Sequence, residues 1–196
     1  MKKLLSIVAA ATLLLAFAAC TPASGEKDTL TGTPEELLAQ LKEAVDLGMT
    51  FDDEISPDSA VSIPQIALGL TDAQFEQYVQ SAYEAKAMIL TAAQRTAVVK
   101  CKDAAAAAQV KKLIAEGFDS HQWICVFPDQ SVVVESGSYV LLAVGEAETT
   151  NALVEAFKAL SGGNTGSPDV FFAFDGESGG EFGGGFEIEG GGLELP

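Results

Sequence analysis

Alternation of apolar and polar residues in two pairs of short segments constrains the fold of this chain more than any other feature. In the first pair, residues 83–89 and 97–102 alternate along their length and are separated by a short turn. In the second pair, residues 131–135 and 139–144 flank the turn at residues 136–138 (SGS). Period-two alternation is typical of strands, and a short connection indicates an antiparallel hairpin. The chain is therefore predicted to form a sheet from two hairpins.

The two hairpins are predicted to be buried differently. In the first hairpin, small and apolar residues alternate with charged ones, so one of its faces is expected to contact solvent. Residues 139–144 are instead apolar on both faces, which is typical of a strand near the centre of a sheet. The second hairpin is therefore expected to supply the central strand.

Helix signals lie before, between and after the hairpins. Residues 33–36 (TPEE) and 71–74 (TDAQ) have the pattern of capping boxes, which predicts helix starts. Residues 104–116 carry an apolar stripe behind the potential cap Asp103, and residues 153–160 carry another stripe. Strands with one apolar face together with amphipathic helices predict an α+β fold, a two-layer sandwich of one antiparallel sheet with helices.

The first twenty residues predict export and lipid attachment. Lys2 and Lys3 precede an uncharged apolar stretch over residues 4–19, the pattern of a secretory signal peptide. The residues Phe-Ala-Ala-Cys that end at Cys20 resemble the bacterial lipobox, in which the cysteine is acylated and becomes the first residue. Cys20 is therefore expected to anchor the protein to the outer face of a bacterial cytoplasmic membrane. Ordinary cleavage after residues 16–18, which would release a soluble protein, is the alternative.

With residues 1–19 as the signal peptide, composition divides the exported chain into three parts. Residues 20–32 are small and polar and are predicted to be a flexible tether. Residues 33–160 have the apolar content of one globular domain. Residues 161–196 hold 12 of the 19 glycines, seven acidic residues, five phenylalanines and no lysine or arginine. Such a segment cannot build its own core, so a disordered tail is predicted.

The exported chain is strongly acidic. Removal of the signal peptide leaves 9 of the 11 lysines and arginines against all 28 acidic residues, a formal net charge of −19. This charge opposes binding to nucleic acid and to bare anionic lipid. It favours solubility, which is the simplest interpretation, and association with cations or basic partners.

The layout of the domain, with its lipoprotein signal, resembles a family of small bacterial lipoproteins of uncharacterised role, domain-of-unknown-function family 4358. The resemblance runs over about residues 34–160. It rests on the helix EELLAQLKEAV, the pair AYEAKAMIL and AVVKCKD, the helix AAAAAQVKKLI, the segments FPDQ and VVVESGSYVLLAVG, and the helix ALVEAFKAL. The family has no established activity, so the resemblance implies no functional residue.

Signals for catalysis are weak in this sequence. His121 lies beside Ser120 without a nucleophile elbow and is interpreted as a partly buried structural histidine. Asp52 and Asp53 are interpreted as part of an acidic surface turn, and an envelope hydrolase that uses such carboxylates is kept as an alternative. The sequence contains no nucleotide-binding fingerprint, and no cofactor is predicted.

Two cysteines besides Cys20 have a state that spacing alone leaves open. Cys101 lies in the second segment of the first hairpin and is expected to face the core. Export would allow a disulfide between Cys101 and Cys125. A metal site built from these two cysteines and His121 is not predicted, because the set lacks close-paired ligands and zinc normally takes four.

Basic residues in the first hairpin define the candidate binding face. Lys86, Lys100 and Lys102 are predicted to share its solvent-facing side, with Arg95 at its turn. Three interpretations stay open. The cations only solvate the sheet, or they hold the acidic tail, or they bind an external anionic cell-wall polymer or envelope protein. The tail would add apolar contact through Phe171, Phe172 and Phe174.

The sequence favours a non-catalytic binding or interaction module of the cell envelope, because a localised basic face occurs without a catalytic constellation. The membrane, reached through Cys20, is its first expected partner. An accessory subunit of a membrane complex is a further alternative, and an exposed apolar patch would support it.

Overall fold

The computed structural model describes residues 30–88, 92–123 and 126–174. The predicted signal peptide, Cys20 with its predicted acylation and the last 22 residues lie outside the described residues. The helices are α1 (Pro34–Ala44), α2 (Pro64–Leu68), α3 (Asp72–Tyr78), α4 (Ala104–Gly117) and α5 (Ala147–Leu160). The strands are β1 (Thr50–Glu54), β2 (Val79–Ala87), β3 (Arg95–Cys101), β4 (Gln130–Ser136), β5 (Tyr139–Gly145) and β6 (Asp169–Ala173).

The strands form one antiparallel sheet in the order β1-β2-β3-β5-β4-β6. The two predicted hairpins are present as β2–β3 and β4–β5, so the α+β class is confirmed. Strand β5 lies between β3 and β4 with every residue buried, as its two apolar faces predict. Apolar side chains on both faces can only be withdrawn from water in the interior of a sheet.

Local capping explains where the helices begin. Thr33 and Glu36 form a reciprocal capping box at α1, and Thr71 and Gln74 form another at α3. Asp103 caps α4, since its Oδ1 accepts a 2.7 Å hydrogen bond from the backbone N–H of Ala106. These side chains satisfy N–H groups that have no partner inside the helix. The three predicted helix starts are therefore confirmed.

Helices cover both faces of the sheet, so the prediction of two layers was wrong. Alternate β5 residues enter two separate cores: Val140, Leu142 and Val144 pack with α2, α3 and α4, whereas Tyr139 and Leu141 pack with α1 and α5. We call these sides the α4 face and the α1/α5 face. A strand that is apolar on both faces needs a helical layer on each, which gives three layers.

The domain extends beyond both predicted boundaries. Leu30 is buried in the core of the α1/α5 face, inside the stretch predicted as tether. At the other terminus, residues 169–173 form β6 and pair with β4, inside the segment predicted as disordered tail. Phe171 of β6 packs against Phe118 in the core of the α4 face. Composition suggested a tail because glycines surround these residues. A strand in such a segment can nonetheless form when it pairs with a sheet and packs on a core that other segments supply.

Strand β1 occupies the sheet edge opposite β6. It includes Asp52 and Asp53, which were predicted to lie in an acidic turn. Asp52 faces α1, where Lys42 Nζ lies 2.5 Å from its Oδ2. Acidic side chains on an edge strand oppose pairing with a further strand, so the charge suits this position.

The two ends of the sheet differ in what they carry. At one end, which we call the tether end, the chain enters the fold: Tyr139 Oη donates a 2.8 Å hydrogen bond to the carbonyl of Gly32. At the opposite far end, Gln94 Nε2 donates to the carbonyl of Leu47 at 3.2 Å. Phe174, the last described residue, also lies at the far end, where its N–H bonds to the carbonyl of Asp129 at 2.7 Å.

Candidate functional site

The four cations of the predicted binding face do not share one face. In the β2–β3 ladder, Lys86 lies opposite Arg95, whereas Lys100 lies opposite Ser81. Directly opposed residues point to the same side of a sheet, and successive residues point to opposite sides. Lys86 and Arg95 therefore lie on the α4 face and Lys100 on the α1/α5 face. The prediction of one solvent-facing basic side was wrong, because helices or loops cover both sides of β3.

Lys100 and Lys102 lie at the tether end. The Nζ atom of Lys100 is 5.3 Å from the centroid of the Tyr139 ring and 3.5 Å from the carbonyl oxygen of Gly32. Lys102 Nζ donates a 2.6 Å hydrogen bond to the carbonyl of Glu76 at the end of α3. These two lysines hold local structure where the tether enters.

A buried carboxylate organises the other two cations. Glu84 is 0% exposed and faces the α4 side from β2. Its Oε1 accepts a 2.6 Å hydrogen bond from Ser62 Oγ and lies 3.3 Å from Lys86 Nζ. Its Oε2 lies 2.8 Å from Arg95 Nε. One negative charge is thus shared by two cations, which leaves this group with a net charge of +1.

Arg95 extends the same network to two surface segments. Its Nη1 donates to the carbonyl of Ile66 at 2.6 Å and to Gln122 Oε1 at 2.8 Å. Its guanidinium carbon lies 5.9 Å from the centroid of the Trp123 ring. Burial lowers the pKa of Arg95, and Glu84 opposes that shift; the group stays charged because arginine ordinarily titrates far above neutral pH. The ion network therefore fastens the α2 segment and residues 118–123 to the sheet.

Two glycines allow these two surface segments to meet. Gly69, at the end of α2, has a positive φ of 71°. A Cβ placed on Gly69 would collide with the backbone of Gly117, and one placed on Gly117 would collide with the carbonyl of Gly69. Only glycine permits this approach, so the end of α4 and the end of α2 are held in one arrangement.

Exposed apolar side chains surround Lys86 beside the open edge of the sheet. They share the α4 side of β1 and β2 or the loop and helix that lie over it, and each is between 38% and 72% exposed. We call this surface the Lys86 patch, and its members are Met49, Phe51, Val61, Ile63, Ile66 and Met88.

Contacts connect Met49 with Met88, and Phe51 and Val61 with Lys86. The backbone N–H of Met88 donates to the carbonyl of Met49 at 3.1 Å. Phe51 lies opposite Lys86 in the β1–β2 ladder, and Lys86 Nζ is 5.6 Å from the centroid of its ring. Lys86 Nζ also donates to the carbonyl of Val61 at 3.0 Å. The Lys86 ammonium group is therefore held beside Phe51 and Val61 of the patch.

A polar cleft of about 490 Å³ opens at the far end, between the α1–β1 loop and the start of α5. Three carboxylates line it, those of Asp46, Asp129 and Glu146. Asp46 Oδ1 accepts a 2.8 Å bond from the N–H of Gly48, and Asp129 Oδ2 accepts a 3.1 Å bond from the N–H of Ala147. Two of the three acids therefore have local structural partners. Among the described residues, no group of three histidine, cysteine or acidic side chains is placed to hold a metal ion.

His121 is exposed, which corrects its interpretation as a partly buried residue. Its side chain is 64% exposed, and its ring contacts Phe127 and Phe172 edge-to-face at centroid distances of 5.6 and 5.1 Å. Phe174 stacks on Phe127 at a centroid distance of 6.1 Å. Phe172 and Phe174, which were predicted to reach the basic face, thus lie at the other edge of the sheet.

Asp52 and Asp53 do not form a two-carboxylate site, and Cys101 faces the core as predicted. Asp52 and Asp53 point to opposite sides of β1, since they are successive strand residues, so they do not line one cleft together. Cys101 is a buried free thiol, as its position in the alternation predicts. Burial, and secondarily Asp103, raises the pKa of Cys101 to about 12. Cys125 lies outside the described residues.

Sequence reasoning missed Glu84 and the Lys86 patch. Glu84 has the same parity as Lys86 within β2, so alternation placed both on the polar side of the strand. The apolar side chains of Val61 and Ile66 gave no signal of exposure, because apolar residues in an irregular stretch ordinarily contribute to a core. A carboxylate two residues from a lysine, facing an arginine on the next strand, is the signal that could have indicated the network.

The fold and site define a class of protein: a three-layer α+β domain with one open antiparallel sheet. It carries an exposed apolar patch next to a buried ion network. No described helix has both the length and the apolar character needed to cross a membrane. Comparison with family models, curated proteins and solved structures finds no match to this chain. The resemblance to a lipoprotein family therefore stays a prediction.

Proposed function

We propose that this protein is a membrane-anchored lipoprotein of the cell envelope whose domain binds another protein through the Lys86 patch. The observation that carries the proposal is the patch itself: six large apolar side chains, 38–72% exposed, on the α4 side of β1 and β2 and on the loop and helix that lie over it. Contiguous exposed apolar surface on a soluble domain is typical of protein interaction sites. This is also the feature expected of an accessory subunit of a membrane complex.

The arrangement of the domain suits such an anchor. Ten residues separate Cys20 from the buried Leu30, and ten residues span at most about 36 Å. The tether end would therefore lie close to the membrane. The Lys86 patch lies toward the far end, because Lys86 pairs with Arg95 at the start of β3. An anchored molecule would thus present the patch away from the lipid.

The chemistry of the patch favours a protein over an anionic polymer. A polymer site needs several free cations, whereas Arg95 is 6% exposed and Lys86 is held by Glu84, Ser62 and Val61. Lys86 and its apolar surroundings are complementary to an apolar protein surface that carries one carboxylate. Burial of apolar area would supply affinity, and the ammonium group would fix orientation.

Site-specific photo-crosslinking in the intact bacterium tests the binding proposal. A photoreactive residue placed at Phe51 or Ile66 is expected to give one discrete crosslinked product. The matched control is Gln40, an exposed residue of α1 on the other side of the sheet, which is expected to give none. The substitution Val61→Ser should weaken the crosslink from Phe51. Equal products from all three positions, or none from Phe51 and Ile66, would refute the patch as the binding surface.

Acylation of Cys20 has a separate test. Metabolic labelling with an alkyne fatty acid is expected to mark the wild-type protein and not Cys20→Ser, and the wild type is expected to sediment with membranes. Two or more acyl chains give far firmer membrane attachment than one. A wild type recovered unlabelled from the medium would support ordinary signal cleavage, and label on the Cys20→Ser variant would show that the acyl group is attached elsewhere.

A further inference from the structure

A small aromatic hollow lies beside the point where the described chain ends. It has a volume of about 160 Å³ and is lined by His121, Phe127, Phe172, Ala173 and Phe174. Ring contacts fix its walls: His121 touches the edges of two phenylalanines, and Phe174 stacks on Phe127 with an interplanar angle of 11°. Phe127 and Phe174 are nonetheless 50% and 43% exposed, so the rings present open surface to the hollow.

The hollow matches a single aromatic ring in size and chemistry. A cavity of about 150 Å³ with apolar walls is large enough to bind benzene. Aromatic rings prefer stacked or edge-to-face neighbours at centroid distances of about 4.5–7 Å, and the walls here offer both faces and edges. The ligand class indicated by this geometry is a phenyl group.

The chain itself supplies such a group within reach. Beyond Phe174 the sequence continues for 22 residues, with phenylalanines at positions 182 and 186. Phe182 is eight residues from the rim of the hollow, a span of up to about 29 Å, and the stretch between includes three glycines. Glycine permits the positive φ values that a tight reversal needs. A ligand that belongs to the same chain binds at an effective concentration set by the length of the connecting segment.

We propose that the segment 175–196 folds back on its own domain and places the ring of Phe182 in this hollow. The contact extends the aromatic cluster of His121, Phe127, Phe172 and Phe174 by one ring. Phe127 lines both the hollow and the far-end cleft, so the two cavities are neighbours. The inference stands independently of the Lys86 patch, which lies at the other edge of the sheet.

Charge distinguishes this contact from the ionic docking that composition suggested. The segment 175–196 carries six acidic residues and no lysine or arginine, and the neighbouring surface carries Asp119 and Asp129. Electrostatic repulsion therefore opposes the contact, and the apolar ring supports it. Salt screens repulsion between exposed charges, so docking is expected to increase with ionic strength. An ionic contact would weaken under the same change.

The single histidine of the chain gives a specific probe. The measurement is the chemical shift of the two imidazole ¹H–¹³C signals of His121. It is recorded on residues 20–196 carrying Cys20→Ser, and on the same chain ended after Phe174. The shorter chain keeps every described element. We expect the ring current of Phe182 to shift the His121 signals in the long chain, and this shift to be absent from the short one.

Two matched variants locate the ring. Phe182→Ala is expected to give the His121 signals of the shortened chain, whereas Phe186→Ala is expected to keep those of the parent. Identical His121 signals in the long and short chains would overturn the proposal. Loss of the shift in Phe186→Ala but not in Phe182→Ala would overturn the assignment to Phe182.

Concentration and salt complete the test. The shift is expected to be independent of protein concentration and to grow from low to high salt. A shift that grows with protein concentration would assign the hollow to the tail of a second copy, and a shift lost at high salt would assign an ionic contact; either result contradicts the proposal.

Discussion

The two faces of the sheet are covered in different ways. On the α1/α5 face, α1 and α5 (11 and 14 residues) bury an apolar core through Leu38, Leu41 and Phe157, all at most 1% exposed. On the α4 face, the part over β1 and β2 is covered by the five-residue α2 and an irregular loop, held by Glu84 and Arg95. The long amphipathic helices α1 and α5 cover their part of the sheet. The short α2 segment, which is held by ion pairs, leaves apolar side chains exposed beside it.

This comparison connects the folding of the domain to its proposed binding. Burial of apolar surface stabilises the fold in proportion to the area that leaves water. Complete coverage of an apolar sheet face by helices is therefore favoured. A buried ion pair contributes little net stability but specifies one geometry, because each charge must keep its partner. On the α4 face, the sheet over β1 and β2 is thus less completely covered, and the ion network holds the segments that carry the Lys86 patch in one arrangement. The predictions that follow test this difference, from the largest expected effect to the smallest.

Phe157→Ala should strongly weaken the sealed face. Phe157 is 0% exposed on α5, and loss of a buried phenyl ring costs about 3–5 kcal/mol through lost transfer energy and the cavity left behind. Urea denaturation measures the change in the free energy of unfolding. Lys158→Ala, on the next residue and half exposed, is the control and should change it by less than about 0.5 kcal/mol. A similar cost for both variants would mean that α5 does not seal this face.

Glu84→Gln should break the ion network while keeping the shape of the side chain. Arg95 would stay buried without a counter-charge, and removal of one partner of a buried pair costs about 3 kcal/mol or more. The double variant Glu84→Gln/Arg95→Met should be more stable than Glu84→Gln alone, because it removes the unpaired charge. Additive losses in urea denaturation would show that the two groups are not coupled.

Cys101 should make the α4 core sensitive to alkali. Its pKa is raised by burial to about 12 in the folded state, above that of an exposed thiol. The stability due to the neutral thiol is therefore complete below the unfolded pKa, near 9, and is lost as pH rises toward 12. In that window the unfolded state releases the proton first, so the free energy of unfolding should fall by about 1.4 kcal/mol per pH unit.

Cys101→Ala is the matched control for this dependence. Its free energy of unfolding should be lower at pH 7, because a buried side chain has been shortened, but should fall less steeply between pH 9 and 10. Equal slopes for the two proteins would contradict a buried thiol.

Substitutions in the Lys86 patch should have the smallest effect on stability. Phe51→Ser and Ile66→Ser change side chains that are 47% and 50% exposed, so the free energy of unfolding is expected to change by less than about 1 kcal/mol. Phe51→Ser should also weaken the crosslink from a probe at Ile66, and Ile66→Ser the crosslink from a probe at Phe51. Large destabilisation by either one would assign the patch to the core of the domain and not to binding.

Prediction from the sequence succeeded where a single local rule determined the outcome. Thr33, Thr71 and Asp103 cap helices because the residues they bond are three positions away. The β4–β5 hairpin follows from a short turn between two alternating runs. Each of these features depends on neighbours in the chain, so the residues themselves contain the necessary information.

Prediction failed where two segments distant in the sequence had to be aligned. Alternation assigned Lys86 and Lys100 correctly to one side of their own strands, but the register between β2 and β3 set those sides on opposite faces. A shift of one residue between strands exchanges the faces, and no local pattern determines that shift. The same limit hid the approach of Glu84 to Arg95 and the place of β6 beside β4.

The sequence by itself determined the two hairpins β2–β3 and β4–β5, the caps of α1, α3 and α4, and the central place of β5, because propensity, capping and periodicity act over a few residues. Only the tertiary structure decided which faces those elements share. It made β6 from a glycine-rich segment, divided the basic residues between two faces, and placed Lys86 within an exposed apolar surface. The physical reason is that register and layer number minimise the free energy of the whole core, to which every segment contributes at once.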